Sequence, residues 1–250
     1  TPVPDFEAPE RLSLHRLFQV SPLAVVGMSL VGVTIAMIFG MGAFYARSIG
    51  LNNFQIGYFM SSLTIGTLIL QYPVGRLSDK FDRRLVILGT SIVAGLSILS
   101  AVFFNTQQFI YLLISMAIFG GLCFALLSLM IAHANDFLAP NQMVAMSSGL
   151  LMVNSGGAII GPPLIATVTE FVGVASFFPT MSLFLFAISG FVIYRMRIRD
   201  AVPEDSQGTF VAIPESSLGV AVTLNPEVEW VENTINKTEN NPNLNKHFTN

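Results

Sequence analysis

Residues 85–135 contain no Asp, Glu, Lys or Arg. Residues 21–46, 48–75, 137–169 and 171–194 are likewise free of charge. A soluble domain cannot leave such lengths uncharged and still coat its surface. About 20 apolar residues suffice for one helical crossing of a bilayer. Composition agrees: 52% of residues are hydrophobic and 11% charged, against roughly 25% charged in a soluble domain. A disordered chain is excluded. One cysteine excludes an internal disulfide framework. A net charge of −3 provides no basic footprint, so no nucleic-acid partner is expected. An all-α integral membrane protein remains, with the lipid bilayer as its first partner.

The longest run divides at Asn105-Thr106-Gln107-Gln108, a polar tetrapeptide suited to a surface turn. Six spans follow, at about 22–46, 54–75, 85–104, 109–133, 144–169 and 175–196. The runs are too long for barrel strands and lack their alternation. An even number of spans places both termini on one side. That side holds Arg11, Arg16, Arg76, Lys80, Arg83, Arg84, Arg195, Arg197 and Arg199, whereas Arg47 lies alone on the other. Positive charge marks the cytoplasmic face. An inner (plasma) membrane protein with both termini in the cytoplasm is expected.

The flanks differ from the middle. Residues 1–20 are polar, carry Pro2, Pro4 and Pro9, and read as a cytoplasmic linker. The first residue is Thr1, and the expectation is that something precedes it. Residues 21–197 form the bundle. Residues 198–250 are acidic and Asn-rich and read as a mostly disordered cytoplasmic tail.

The loop after the second span reads Gly75-Arg76-Leu77-Ser78-Asp79-Lys80-Phe81-Asp82-Arg83-Arg84. It resembles the signature loop of the major facilitator superfamily, G-x-x-x-D-[RK]-x-G-[RK]-[RK]. It matches at Gly75, Asp79, Lys80, Arg83 and Arg84, and departs at Asp82, where the family usually has Gly. Asp tolerates turn conformations. The resemblance covers residues 1 to about 200 and is strongest to the second half of the YcaD-like branch. The supporting stretches are Asn53-Phe54-Gln55-Ile56-Gly57-Tyr58-Phe59-Met60, Gln71-Tyr72-Pro73-Val74-Gly75, Val144-Ala145-Met146 and Gly157-Ala158-Ile159-Ile160-Gly161-Pro162. It implies one half of a twelve-helix fold, helices 7 to 12. The partner would be the N-terminal six-helix half, and the substrate a small molecule. The function implied is secondary transport by alternating access, with efflux by proton exchange as the nearest analogy.

A short charged loop between two spans makes a rigid bracket. Asp79 can face a helix N-terminus, and Lys80, Arg83 and Arg84 can hold a carboxylate or a lipid phosphate. Asp136 ends the fourth span on the same face and is expected to pair with Arg83 or Arg84. The resemblance implies that Gly75, Asp79, Lys80, Arg83, Arg84 and Asp136 form a conformational latch. In the fifth span, Gly157 and Gly161 are four apart and Pro162 follows, a pattern for close helix packing or for a bending gate. The resemblance makes Gln55, Tyr58, Ser62, Asn154 and Ser155 candidate cavity residues; packing by hydrogen bonds is the plainer reading of each.

Catalysis is not expected, because no nucleophile, phosphate-loop or dinucleotide motif occurs. No cofactor or metal is expected either. His133 and Asp136 share a helix face, but two ligands do not make a metal site. Cys123 reads as a small core residue. A different function also suits the chain: a non-transporting adaptor or sensor whose acidic tail binds a cytosolic partner.

Overall fold

The computed structural model describes residues 14–103, 108–138 and 140–198. Within them lie a short helix α1 (Leu14–Val20) and six long ones. These are α2 (Pro22–Ser48), α3 (Asn53–Ser78), α4 (Arg83–Ser100), α5 (Phe109–Asn135), α6 (Pro140–Val172) and α7 (Phe177–Ile198). Short 3₁₀ turns follow α4 and precede α7. The acidic tail from residue 199, most of the linker and most of the Asn105–Gln108 turn lie outside the described residues.

Local chemistry sets the helix ends. Ser21 caps α2 by accepting from the Ala24 N–H at 3.4 Å, and Pro22 starts the helix, where its missing N–H costs nothing. Asn52 and Gln55 form a reciprocal capping box at the start of α3, both bonds being 2.9 Å. Between α2 and α3, Gly50 takes φ +88°, a left-handed conformation that suits glycine, and the Leu51 N–H returns to the Ala46 carbonyl at 3.1 Å. Asp82, the departure from the family loop, is the N-cap of α4. Its carboxylate accepts from the Arg84 N–H at 2.9 Å with φ −49°, so no glycine is needed there.

Three helix pairings organise the bundle: α2 with α6, α3 with α5, and α4 with α7. The first two are parallel. A β-carbon added at Gly157 would fall on the Ser29 carbonyl oxygen and one at Gly161 on that of Val33, so α2 and α6 ascend together. Gly120 lies against Leu63, and further along Gln71 donates to Ser128 at 3.3 Å, so α3 and α5 also run together. The α4–α7 pair is antiparallel, with a Ser91–Ser189 hydroxyl contact at 2.8 Å and Gly95 against Phe186. Laying α2–α4 on α5–α7 exchanges the first two pairings and returns the third to itself. That is the packing of a repeated three-helix unit.

Five stretches among the described residues are long and apolar enough to cross a membrane: Pro22–Ser48, Arg83–Phe103, Phe109–Asn135, Gln142–Val172 and Val174–Ile198. The sequence reading expected six. The difference is α3, which has the length of a span but carries Gln55, Ser61, Ser62, Thr64, Thr67 and Gln71. Part of that polarity is satisfied within the protein: Ser62 donates to the Phe59 carbonyl at 2.7 Å and Thr67 to that of Leu63 at 3.0 Å. A second difference is α1, which folds within what reads as linker. Its Leu17 is 1% exposed and lies over Gly149 of α6.

Candidate functional site

The signature loop joins α3 to α4 through four residues, 79–82. The Asp79 N–H closes on the carbonyl of buried Gly75 at 3.1 Å, and the Phe81 N–H on that of Leu77 at 3.1 Å. The turn is therefore tight. It delivers Arg83 at the first position of α4 directly into the protein.

Arg83 is 1% exposed and is among the largest fully buried side chains. A buried guanidinium loses its hydration and is tolerated only where carboxylates and hydroxyls replace the lost water. Its Nη1 makes an ion pair with Asp136, whose side chain is 3% exposed. Its Nε donates to the Ser78 hydroxyl at 3.0 Å. Asp79, 37% exposed, faces Nη2 at 3.9 Å. Ser78 ends α3, Arg83 begins α4 and Asp136 caps α5, so one cation ties three helix ends together. Lys80 is exposed on the loop. Arg84 is buried and lines a different space with His133 and Arg195.

The glycines of α6 meet α2. Besides the Gly157 and Gly161 contacts, Pro162 lies on Gly40, where an added β-carbon would come within 2.8 Å of its ring. The helix runs on through Pro162 and Pro163 to Val172. Small residues thus let two backbones touch along the seam. Asn154 belongs to the same seam: its Nδ2 donates to the Met28 carbonyl at 3.1 Å. Ser155, one position on, is exposed and donates to Leu151 O at 2.9 Å. On α3, the Gln55 amide is engaged in the N-terminal cap. Tyr58 is 62% exposed, and Ser62 is buried. The five candidate cavity residues are therefore spread over two helices that pack on different partners, α3 on α5 and α6 on α2.

Sequence reasoning missed Ser78 as a partner of Arg83 and Asp82 as a helix cap. The second was readable, because Asp directly before a helical run is a capping signal. The first depends on how the last turn of α3 faces α4. Among the described residues no three His, Cys, Asp or Glu side chains gather as a metal would require.

Long apolar helices, ends joined by a short charged loop and glycine-lined seams define a multi-pass membrane protein. The family model of the Major Facilitator Superfamily matches residues 24–233, and the chain belongs to that superfamily. It is similar to the MFS-type transporter YcaD of Salmonella arizonae, with 28% identity over 179 residues, 72% of this chain and 44% of the relative. YcaD of Escherichia coli O139:H28 is 27% identical over 182 residues, with the same shares covered. The chain thus spans under half the length of these relatives.

Proposed function

We propose that this chain is the C-terminal half, helices 7 to 12, of a secondary transporter that moves a small solute by alternating access. The observation that carries the reading is the Arg83 centre, where the family's signature loop and Asp136 join α3, α4 and α5 at one end of the bundle. Such a joint holds three helices as one body, as rocking of one half against another demands. The 44% coverage of the relatives agrees with a half.

Six spans are the better reading of the bundle, despite the polar α3. At 26 residues α3 is about 39 Å long, enough for a hydrocarbon core of about 30 Å. It also runs parallel to α5 from Leu63–Gly120 to Gln71–Ser128. If α5 crosses, α3 crosses beside it. Six spans put both termini in the cytoplasm of the inner membrane by the nine-to-one distribution of basic residues.

The latch works by differential stability. An ion pair made in one state and broken in the other shifts the population toward the first. The described carboxylates, Asp79, Asp82, Asp136 and Glu170, all lie at helix ends or in the loop. If transport is proton-coupled, the titrating carboxylate belongs to the N-terminal half, the proposed partner of this one. Gly157, Gly161 and Pro162 hold α6 to α2. Tyr58 and Ser155, being exposed, are the first of the cavity residues to test against substrate.

The test is Asp136→Asn in the full-length protein, with cysteine accessibility measured from both sides of the membrane. The expected result is a larger population open at the end that carries the loop. Unchanged populations remove the latch. The reading frame upstream of the Thr1 codon tests the half: six further spans in frame support it, and a stop codon overturns it.

A further inference from the structure

The long helices do not all expose the same chemistry. On α4 the exposed side chains, Leu85, Val93 and Leu96, are apolar, as a lipid-facing surface requires. On α6 the exposed positions include Ser148, Met152, Ser155, Ile159, Pro163 and Glu170. At about 100° per residue all of these fall within about 40° of Ile159, so they form one stripe along the helix. Its hydroxyls are turned to the helix itself. Ser148 donates to the Ala145 carbonyl at 3.0 Å and Ser155 to that of Leu151 at 2.9 Å. Thr167, at the edge of the stripe, donates to the Pro163 carbonyl at 2.8 Å. Each proton is thus engaged, and the oxygen lone pairs are what the stripe presents.

Ile159, 77% exposed, adds a backbone acceptor. The helical donors to its carbonyl would be the amides three and four positions on, but these are Pro162 and Pro163, which have no N–H. Among the described residues no side chain donates to it. Ile159 lies three residues past the helix midpoint, Gly156, so this carbonyl sits deep in the membrane. There a carbonyl needs a donor from water, a neighbour or a ligand. Gly156 leaves room beside it, with nothing within 4 Å of an added β-carbon. The helix has no Lys, Arg or His, and its one charged residue, Glu170, stands on the stripe at the end away from the signature loop. The stripe therefore offers acceptors and negative charge, and no donor.

We propose that this stripe walls the substrate path, and that the solute is an organic cation with N–H donors, an amine or a guanidine. The proposal rests on the transport reading above and names its substrate class. An ammonium group has donors and no acceptor. It can meet the Ile159 carbonyl and the serine oxygens without leaving a group unpaired. A carboxylate or phosphate brings only acceptors and meets no donor on this stripe.

The test uses the full-length protein in liposomes, with other reactive cysteines replaced; Cys123 is buried and stays. Ile159→Cys keeps the backbone carbonyl and puts a thiol on the stripe. Three methanethiosulfonates are compared: aminoethyl, a cation with N–H donors; trimethylammonioethyl, a cation without them; and sulfonatoethyl, an anion. Each rate is divided by the rate with a small free thiol in solution. Both cations are expected to exceed the anion by at least about tenfold. The aminoethyl reagent is expected to exceed the trimethylammonioethyl one by about threefold or more, the scale of one hydrogen bond. Adding Pro163→Ala returns an amide N–H to the Ile159 carbonyl and should abolish that second preference. Leu96→Cys, on the apolar face of α4, should show neither. Reaction without charge preference overturns the proposal and leaves the transport reading standing. So does a missing donor preference, one that survives Pro163→Ala, or equal preferences at Leu96→Cys. No reaction at Ile159→Cys with any reagent means that lipid or another part of the protein covers α6, which overturns both the proposal and the place of this face in a transport path.

Discussion

Arg83 and Asp136 stand 53 positions apart and meet as a buried ion pair, joining the first residue of α4 to the cap of α5. Ser78 at the end of α3 takes a third edge of the same guanidinium. The signature loop is thereby more than a set of topogenic charges. It holds the ends of three helices at one point.

Removing the two carboxylates around Arg83 should have unequal effects. Asp136→Ala strands a buried cation, which costs about 3–5 kcal/mol. Asp79 is partly exposed and 3.9 Å away, and a pair of that kind contributes about 0–1 kcal/mol. Thermal unfolding of the full-length protein in detergent should show a much larger loss for Asp136→Ala. Equal losses would mean that Asp79 is the real partner.

Asp82 should behave as a cap, not as a loop glycine. Asp82→Ala removes the bond to the Arg84 N–H and costs about 0.5–2 kcal/mol, while Asp82→Gly costs only a few tenths. The family's own residue is therefore the milder change. A melting temperature for Asp82→Gly at or below that of Asp82→Ala would contradict the capping role.

The α2–α6 seam should refuse side chains. Gly157→Val drives a branched side chain into the Ser29 carbonyl, and overpacking of a tight interface costs about 1–3 kcal/mol or more. Gly190→Ala, on an open face of α7 with nothing within 4 Å, should be neutral or slightly stabilising through helix propensity. Monodisperse yield by fluorescence-detected size exclusion separates the two. Similar yields would show that the seam opens freely.

Gly50 tests backbone conformation without packing. Nothing lies within 4 Å of an added β-carbon, but φ is +88°. Gly50→Ala should cost about 1–3 kcal/mol from strain alone, visible as a lower melting temperature. No change would mean that the turn relaxes to another conformation.

Much of the architecture was legible because lipid imposes a rule that can be read residue by residue. A charge is costly in the hydrocarbon core wherever the rest of the chain goes. The charge-free runs therefore match long helices at 22–48, 109–135 and 177–198 within a few residues of the expected ends. The rule also explains where the reading strained. The helix α3 is the most polar of the six long helices, and some of its hydroxyls and an amide find partners in its own backbone and on α5. The helix α1 was invisible because one buried Leu17 in seven residues leaves no periodic signal.

The site divides in the same way. The residue types, the loop spacing and the common membrane face of Asp136 are properties of the sequence. Which arginine is buried against Asp136 is not, since Arg83 and Arg84 differ by one position, about 100° around α4. That choice is made by where α3 and α5 stand when α4 begins. The seam of Gly157, Gly161 and Pro162 on α2, and the cleft that gathers Ser21, Arg84, His133 and Arg195, are decided there too. A bilayer selects each helix singly, by composition. Contacts between helices depend on how each is rotated and which neighbour it meets, and only the folded bundle sets both.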